Sequence, residues 1–78
     1  MYDRIRNLRE DRDLRQKDVA SYLHCSQVTY SYYELGRRDI PTKVLIALAL
    51  YYHTSVDYLL GLTDVDKPYP YKSRHGKE

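Results

Sequence analysis

Apolar side chains recur at spacings of three and four along most of this chain, and the breaks in that rhythm divide it into five helical segments. Ile5 and Leu8 share a face with Arg12, which predicts a first helix from about Tyr2 to Arg12. Asp13 interrupts the pattern, as a short polar residue that tolerates a left-handed turn. Val19 and Leu23, with Ala20 beside them, supply the inward face of a second helix from about Gln16 to Leu23. His24-Cys25-Ser26 reads as a turn, and Ser26 is a good N-cap for a third helix from about Gln27 to Leu35. Gly36 ends that helix as a left-handed residue. Pro41 favours a helix start, so a fourth helix runs from Thr42 to Tyr52. Ser55 caps a short fifth helix from about Val56 to Leu60, and Gly61 stops it.

The rhythm ends at Thr63. Residues 1–63 are therefore expected to form one all-α domain, and residues 64–78 a polar, flexible tail that carries Pro68 and Pro70. A length of 78 residues suits one domain with a modest core, in which each apolar position matters.

Composition adds three constraints. Ten tyrosines stand in a chain without Phe or Trp, so many rings should lie where their hydroxyls find a partner or solvent. A single cysteine, Cys25, forms no internal disulfide and suits a reducing compartment. The charged start of the chain has no apolar signal core, and the longest apolar run, Val44 to Tyr52, is too short for a membrane span. A cytoplasmic location without a membrane partner is the expectation. Net charge is only +2, so the positions of the charges matter more than their sum.

The stretch from Gln16 to Leu35 carries the strongest signal. It consists of a short helix, a three-residue turn and a second short helix. Steeply crossing helices of this kind need small or apolar residues at fixed places, filled here by Val19, Ala20, Leu23, Cys25, Tyr30 and Tyr33. The outward stripe of the third helix is Gln27, Val28, Ser31 and Tyr32, with no acidic residue among them. Such a face enters a major groove without charge repulsion. Its amide matches an adenine edge and its apolar group a thymine methyl.

From Leu14-Arg15-Gln16-Lys17-Asp18-Val19-Ala20 through Ser26 to Glu34-Leu35-Gly36-Arg37-Arg38, the chain resembles the phage Cro and repressor type of helix-turn-helix, the xenobiotic-response-element family. Ile40-Pro41 and Ser55-Val56-Asp57-Tyr58-Leu59-Leu60-Gly61-Leu62-Thr63 resemble the downstream part of small bacterial members, so the likeness covers about residues 2 to 63. It implies a five-helix lambda-repressor-like domain. The implied function is that of a sequence-specific regulator of transcription, a repressor above all, which reads double-stranded DNA through its third helix. By the same resemblance Gln16 is a phosphate-binding amide at the start of the second helix, where the positive helix end favours an anion. Ser26, Arg37, Arg38, Lys43 and Arg15 join it as phosphate contacts. Arg9 and Glu34 form a partly buried ion pair between the first and third helices. Three positions depart from the family pattern: His24 stands where glycine is usual in the turn, Leu35 where asparagine is frequent, and Arg15 where threonine is frequent.

The fourth helix is apolar on more than its core face. Val44, Leu45, Leu48, Ala49 and Tyr52 supply the core side, and Ile46, Ala47, Leu50 and Tyr51 make the other side apolar too. That pattern fits either contact with a second subunit, through Ala47, Leu50, Tyr51 and Tyr58, or a merely greasy surface. A homodimer would read a palindromic operator with paired third helices. The alternative from another class is a protein-interaction module, such as an antitoxin that binds a toxin through the tail. The three histidines and Cys25 show no metal-ligand spacing, and no nucleophile–base or paired-carboxylate arrangement is evident. The expectation is a non-enzyme with no cofactor and no metal.

Overall fold

The structure is a computed structural model and describes residues 3–69. Five helices follow in order: α1 (Asp3–Asp11), α2 (Gln16–Leu23), α3 (Gln27–Leu35), α4 (Thr42–Tyr52) and α5 (Val56–Leu59). No strand occurs among the described residues. Several helix ends have a local chemical cause. Ser26 Oγ accepts the Thr29 N–H at 3.0 Å and begins α3, and Ser55 Oγ accepts the Tyr58 N–H at 3.0 Å and begins α5. At α2 the cap is reversed: the Asp18 carboxylate accepts the Arg15 N–H at 2.8 Å. Left-handed residues close the helices. Gly36 has φ 74° after α3, and His24 takes φ 58° after α2 where the side chain, unlike glycine, makes the turn costlier. Asp13 adopts φ 55° between α1 and α2.

The core is built from all five helices. Ile5 of α1, Val19 and Ala20 of α2, Tyr30 and Tyr33 of α3, Leu48, Ala49 and Tyr52 of α4, and Leu59 of α5 are buried together. Leu8, Leu14, Leu23, Cys25 and Ile40 close around them. Cys25 is half-buried, and burial raises its thiol above the ordinary value, as befits a packing residue. The α2–α3 pair packs most extensively. Ala20 at that crossing is 2% exposed, small enough to let the backbones approach.

Residues 64–69 are tied back to the domain without regular structure. Arg4 of α1 bonds the carbonyls of Tyr58 and Thr63, pairs with Asp64 at 2.6 Å, and lies 4.2 Å above the Tyr58 ring. The Tyr69 hydroxyl donates to Asp57 at 2.6 Å. The remainder of the expected flexible tail, residues 70–78, lies outside the described residues. Among the described residues no helix is long and apolar enough to cross a membrane.

Candidate nucleic-acid interface

The exposed side of α3 presents the four residues of the outward stripe. Gln27 and Val28 are exposed, Val28 at 60%, while Ser31 is half-buried and Tyr32 lies at the edge of exposure. Together with Gln16, the first residue of α2, they line a shallow depression of about 280 Å³. A residue from a second helix thus shares one surface with the α3 stripe. The Arg38 guanidinium lies 5.9 Å from the centroid of the Tyr32 ring, within range of a cation–π contact.

The cationic residues differ in their freedom. Arg37, Arg38 and Lys43 are exposed and follow directly on the C-terminal end of α3 and the start of α4. Arg15 is exposed but lies beside Asp18, with Nε 3.5 Å from the carboxylate. Backbone hydrogen bonding from Arg15 holds Asp18 below the ordinary carboxyl value, so Arg15 has a charged neighbour already in place. The Ser26 hydroxyl is engaged in capping and in a 3.0 Å bond with Thr29 Oγ1.

Behind the stripe lies a polar network that the sequence only outlined. Arg9 Nε donates to Glu34 Oε2 at 2.7 Å, and Arg9 Nη2 donates to Oε1 at 3.2 Å, a bidentate pair. Arg9 Nη1 also donates to the Leu14 carbonyl at 2.9 Å, just ahead of α2. The Tyr30 hydroxyl donates to Glu34 Oε2, and Gln16 Nε2 donates to Oε1 at 3.1 Å. Burial by itself pushes the Glu34 carboxyl up, but the hydrogen bonds from Arg9, Tyr30 and Gln16 outweigh it and leave the group below its ordinary value. Burial raises Tyr30 far above the usual phenol range, and the bond to Glu34 adds to the shift. The apolar stripe accounts for the Tyr30 ring but not for its hydroxyl. The spacing of four between Tyr30 and Glu34 on one helix is the sequence signal that the hydroxyl reaches the carboxylate.

Of the four residues expected at a subunit contact, Ala47 and Tyr51 both meet Tyr22, whereas Leu50 and Tyr58 have other neighbours. Leu50 is 52% exposed and, with Ile46 at 49%, borders an apolar cleft of about 180 Å³ between α4 and α5 that also includes Val56 and Tyr69. Ala47 lies in a different depression with Tyr22, His24 and Lys43, and its carbonyl accepts the Tyr22 hydroxyl at 3.4 Å. Tyr51 stacks on Tyr22 with ring centroids 4.2 Å apart, and Tyr58 sits under Arg4. Tyr51 and Tyr58 thus each cover a neighbour within the chain. The apolar character of α4 is partly an internal need, and the freely exposed part is Ile46 and Leu50.

Short helices crossing at a left-handed turn, with the second presenting an uncharged polar stripe, define the helix-turn-helix class. The helix-turn-helix family model matches residues 5–59, and this chain belongs to that family. It is 37% identical over 65 residues to an uncharacterized HTH-type transcriptional regulator, YobD, of Bacillus subtilis (strain 168), covering 83% of this chain and 58% of that protein. It is 36% identical over 64 residues to the HTH-type transcriptional regulator ImmR of the same organism, covering 82% of this chain and 50% of that protein. The chain spans between half and three fifths of the length of these curated relatives. No solved structure gives a significant match.

Proposed function

We propose that this chain binds double-stranded DNA with sequence specificity and regulates transcription in the cytoplasm, as a repressor that occupies an operator. The observation that carries this reading is the single surface formed by Gln27, Val28, Ser31 and Tyr32 of α3 with Gln16 of α2. It offers amide, hydroxyl and methyl groups and no carboxylate, the set that base edges in a major groove can satisfy. Arg37, Arg38 and Lys43 adjoin it as phosphate-binding cations, and Gln16, Ser26 and Arg15 are assigned to the backbone near the start of α2 and α3. The names of the relatives support regulation of transcription as the purpose of binding.

A homodimer on a palindromic operator completes the proposal. One helix-turn-helix covers a single half-site, and two copies related by a twofold axis place their α3 helices about 34 Å apart, one turn of DNA. Leu50 and Ile46 on α4 supply the exposed apolar surface for that contact.

The test is a selection from randomised duplexes, followed by titration of the selected sequence and a scrambled control at one fixed salt concentration. Enrichment of a motif with dyad symmetry, bound at least about a thousandfold more tightly than the scramble, is expected. Recovery of unenriched sequences would overturn specific recognition.

A further inference from the structure

Among the described residues Glu34 is the one acidic residue buried with the core side chains, its side chain 3% exposed, and its two oxygens share Arg9 but differ in their second partner. Oε2 takes the short bond from Arg9 Nε and the bond from Tyr30. Oε1 takes the Gln16 amide at 3.1 Å and the longer Arg9 bond at 3.2 Å. Of the three donor residues, only Gln16 also lines the α3 depression.

A glutamine amide has two nearly isosteric ends, an oxygen that accepts and a nitrogen that donates twice. A free side chain presents either end. A carboxylate only accepts, so a glutamine held by Glu34 must turn its nitrogen inward. One N–H and the amide oxygen remain for the surface. From this geometry we infer that Glu34 is a positioning residue of the DNA interface: it selects one of the two amide orientations of Gln16 and presents a single fixed N–H donor at the start of α2. The inference rests on the DNA-binding reading above and deepens it.

The gain is one of preorganisation. A glutamine loses substantial rotamer freedom when it is fixed, and here that loss falls on folding instead of on binding. The ligand group is an acceptor oxygen of the DNA backbone, because a lone N–H beside the positive end of α2 suits a phosphate. A neutral amide displaces no counterion. Its removal should therefore weaken every duplex alike and leave the salt dependence of binding unchanged.

The experiment is a double-mutant cycle in DNA affinity, using Gln16→Ala, Glu34→Gln and the double variant on a selected and a random duplex. Gln16→Ala is expected to weaken both duplexes about fivefold with an unaltered salt slope. Glu34→Gln should weaken binding by a similar factor, and the double variant no further. Tyr30→Phe removes only a donor to Oε2, so it should lower stability yet keep DNA affinity within about twofold of the parent. Multiplicative losses in the double variant would overturn the positioning role, since they mean that the two side chains act separately. Should Glu34→Gln fail to fold, the amide protons of Gln16 in the free parent decide by NMR. A shifted pair, slow to exchange, supports the fixed orientation, and averaged random-coil behaviour overturns it. A parent that shows the fixed amide but binds no duplex overturns the DNA reading itself, and with it the role assigned to the amide.

Discussion

Arg9 Nε lies 2.7 Å from Glu34 Oε2, and this contact joins the last turn of α1 to the last turn of α3 with both side chains mostly out of water, at 12% and 3% exposure. The strength of such a pair is unequal in its two directions. Removing one partner strands a buried charge, whereas replacing both by apolar groups removes the desolvation cost as well. Glu34→Ala should therefore lower stability by about 3 kcal/mol in urea unfolding. Arg9→Met combined with Glu34→Leu should recover much of that loss. A parent-like midpoint for Glu34→Ala would show that the pair contributes no more than an exposed one.

Protonation states link the same network to pH. Glu34 lies below its ordinary value in the folded chain, so its contribution is complete above the unfolded carboxyl value of about 4.3 and is lost as pH falls through the folded value. Burial pushes Tyr52 up to about 12, and it also raises Tyr30. Those groups have the opposite sign: their contribution is complete below the unfolded phenol value of about 10 and is lost as pH rises toward the folded values. Chemical denaturation at several pH values should show a plateau with losses at both ends. Glu34→Gln should flatten the acid loss, and an unchanged acid limb would locate it elsewhere.

The α3 stripe separates specificity from general affinity. Gln27→Ala should cost roughly 1–3 kcal/mol on the selected site and relax preference at one base pair in each half-site. Random DNA should be bound as before, because backbone contacts dominate there. Val28→Ala should relax a neighbouring position. If the two changes together leave the selected motif intact, α3 is not the reader.

Salt dependence isolates the cations. Arg38→Ala or Lys43→Ala should weaken all duplexes alike and reduce the slope of log affinity against log salt by about 0.9 for each phosphate that is no longer neutralised. An unaltered slope for both variants would remove these residues from the interface.

Leu50 tests the subunit contact. It is exposed on the single chain, so Leu50→Glu leaves the core untouched while placing a charge on the proposed contact. The variant should keep its helical circular dichroism, sediment as a monomer, and bind a palindromic site more weakly than the parent. A parent that stays monomeric, both free and on a two-half-site duplex at high concentration, would exclude the dimer.

The fold was legible to a degree that local chemistry explains. Ser26, Gly36 and Ser55 mark helix ends because capping is decided within a few residues, and the three-and-four spacing of Val19, Leu23, Tyr30 and Tyr33 marks inward faces for the same reason. The exposed stripe Gln27, Val28, Ser31 and Tyr32 follows from the helix period alone. Other features needed contacts between distant segments. Arg4 gathers the Tyr58 ring, the Tyr58 and Thr63 carbonyls and Asp64, and nothing near residue 4 announces those partners.

The aromatic residues show the same division most clearly. The excess of tyrosine was readable as a demand for hydroxyl partners, but the partners were not. Tyr51 stacks on Tyr22, whereas Tyr69 donates to Asp57 and Tyr30 to Glu34, so one residue type fills two different roles. By itself the sequence determined the helices, the serine caps of α3 and α5 and the face that α3 turns outward, because each depends on interactions within one or two turns. Tertiary structure decided which of the apolar groups on α4 remain free, and which end of the Gln16 amide faces the surface. Both depend on a side chain supplied by another helix, Tyr22 of α2 for Tyr51 and Glu34 of α3 for Gln16, and a partner brought in from elsewhere in the chain leaves no periodic signal at the position it completes.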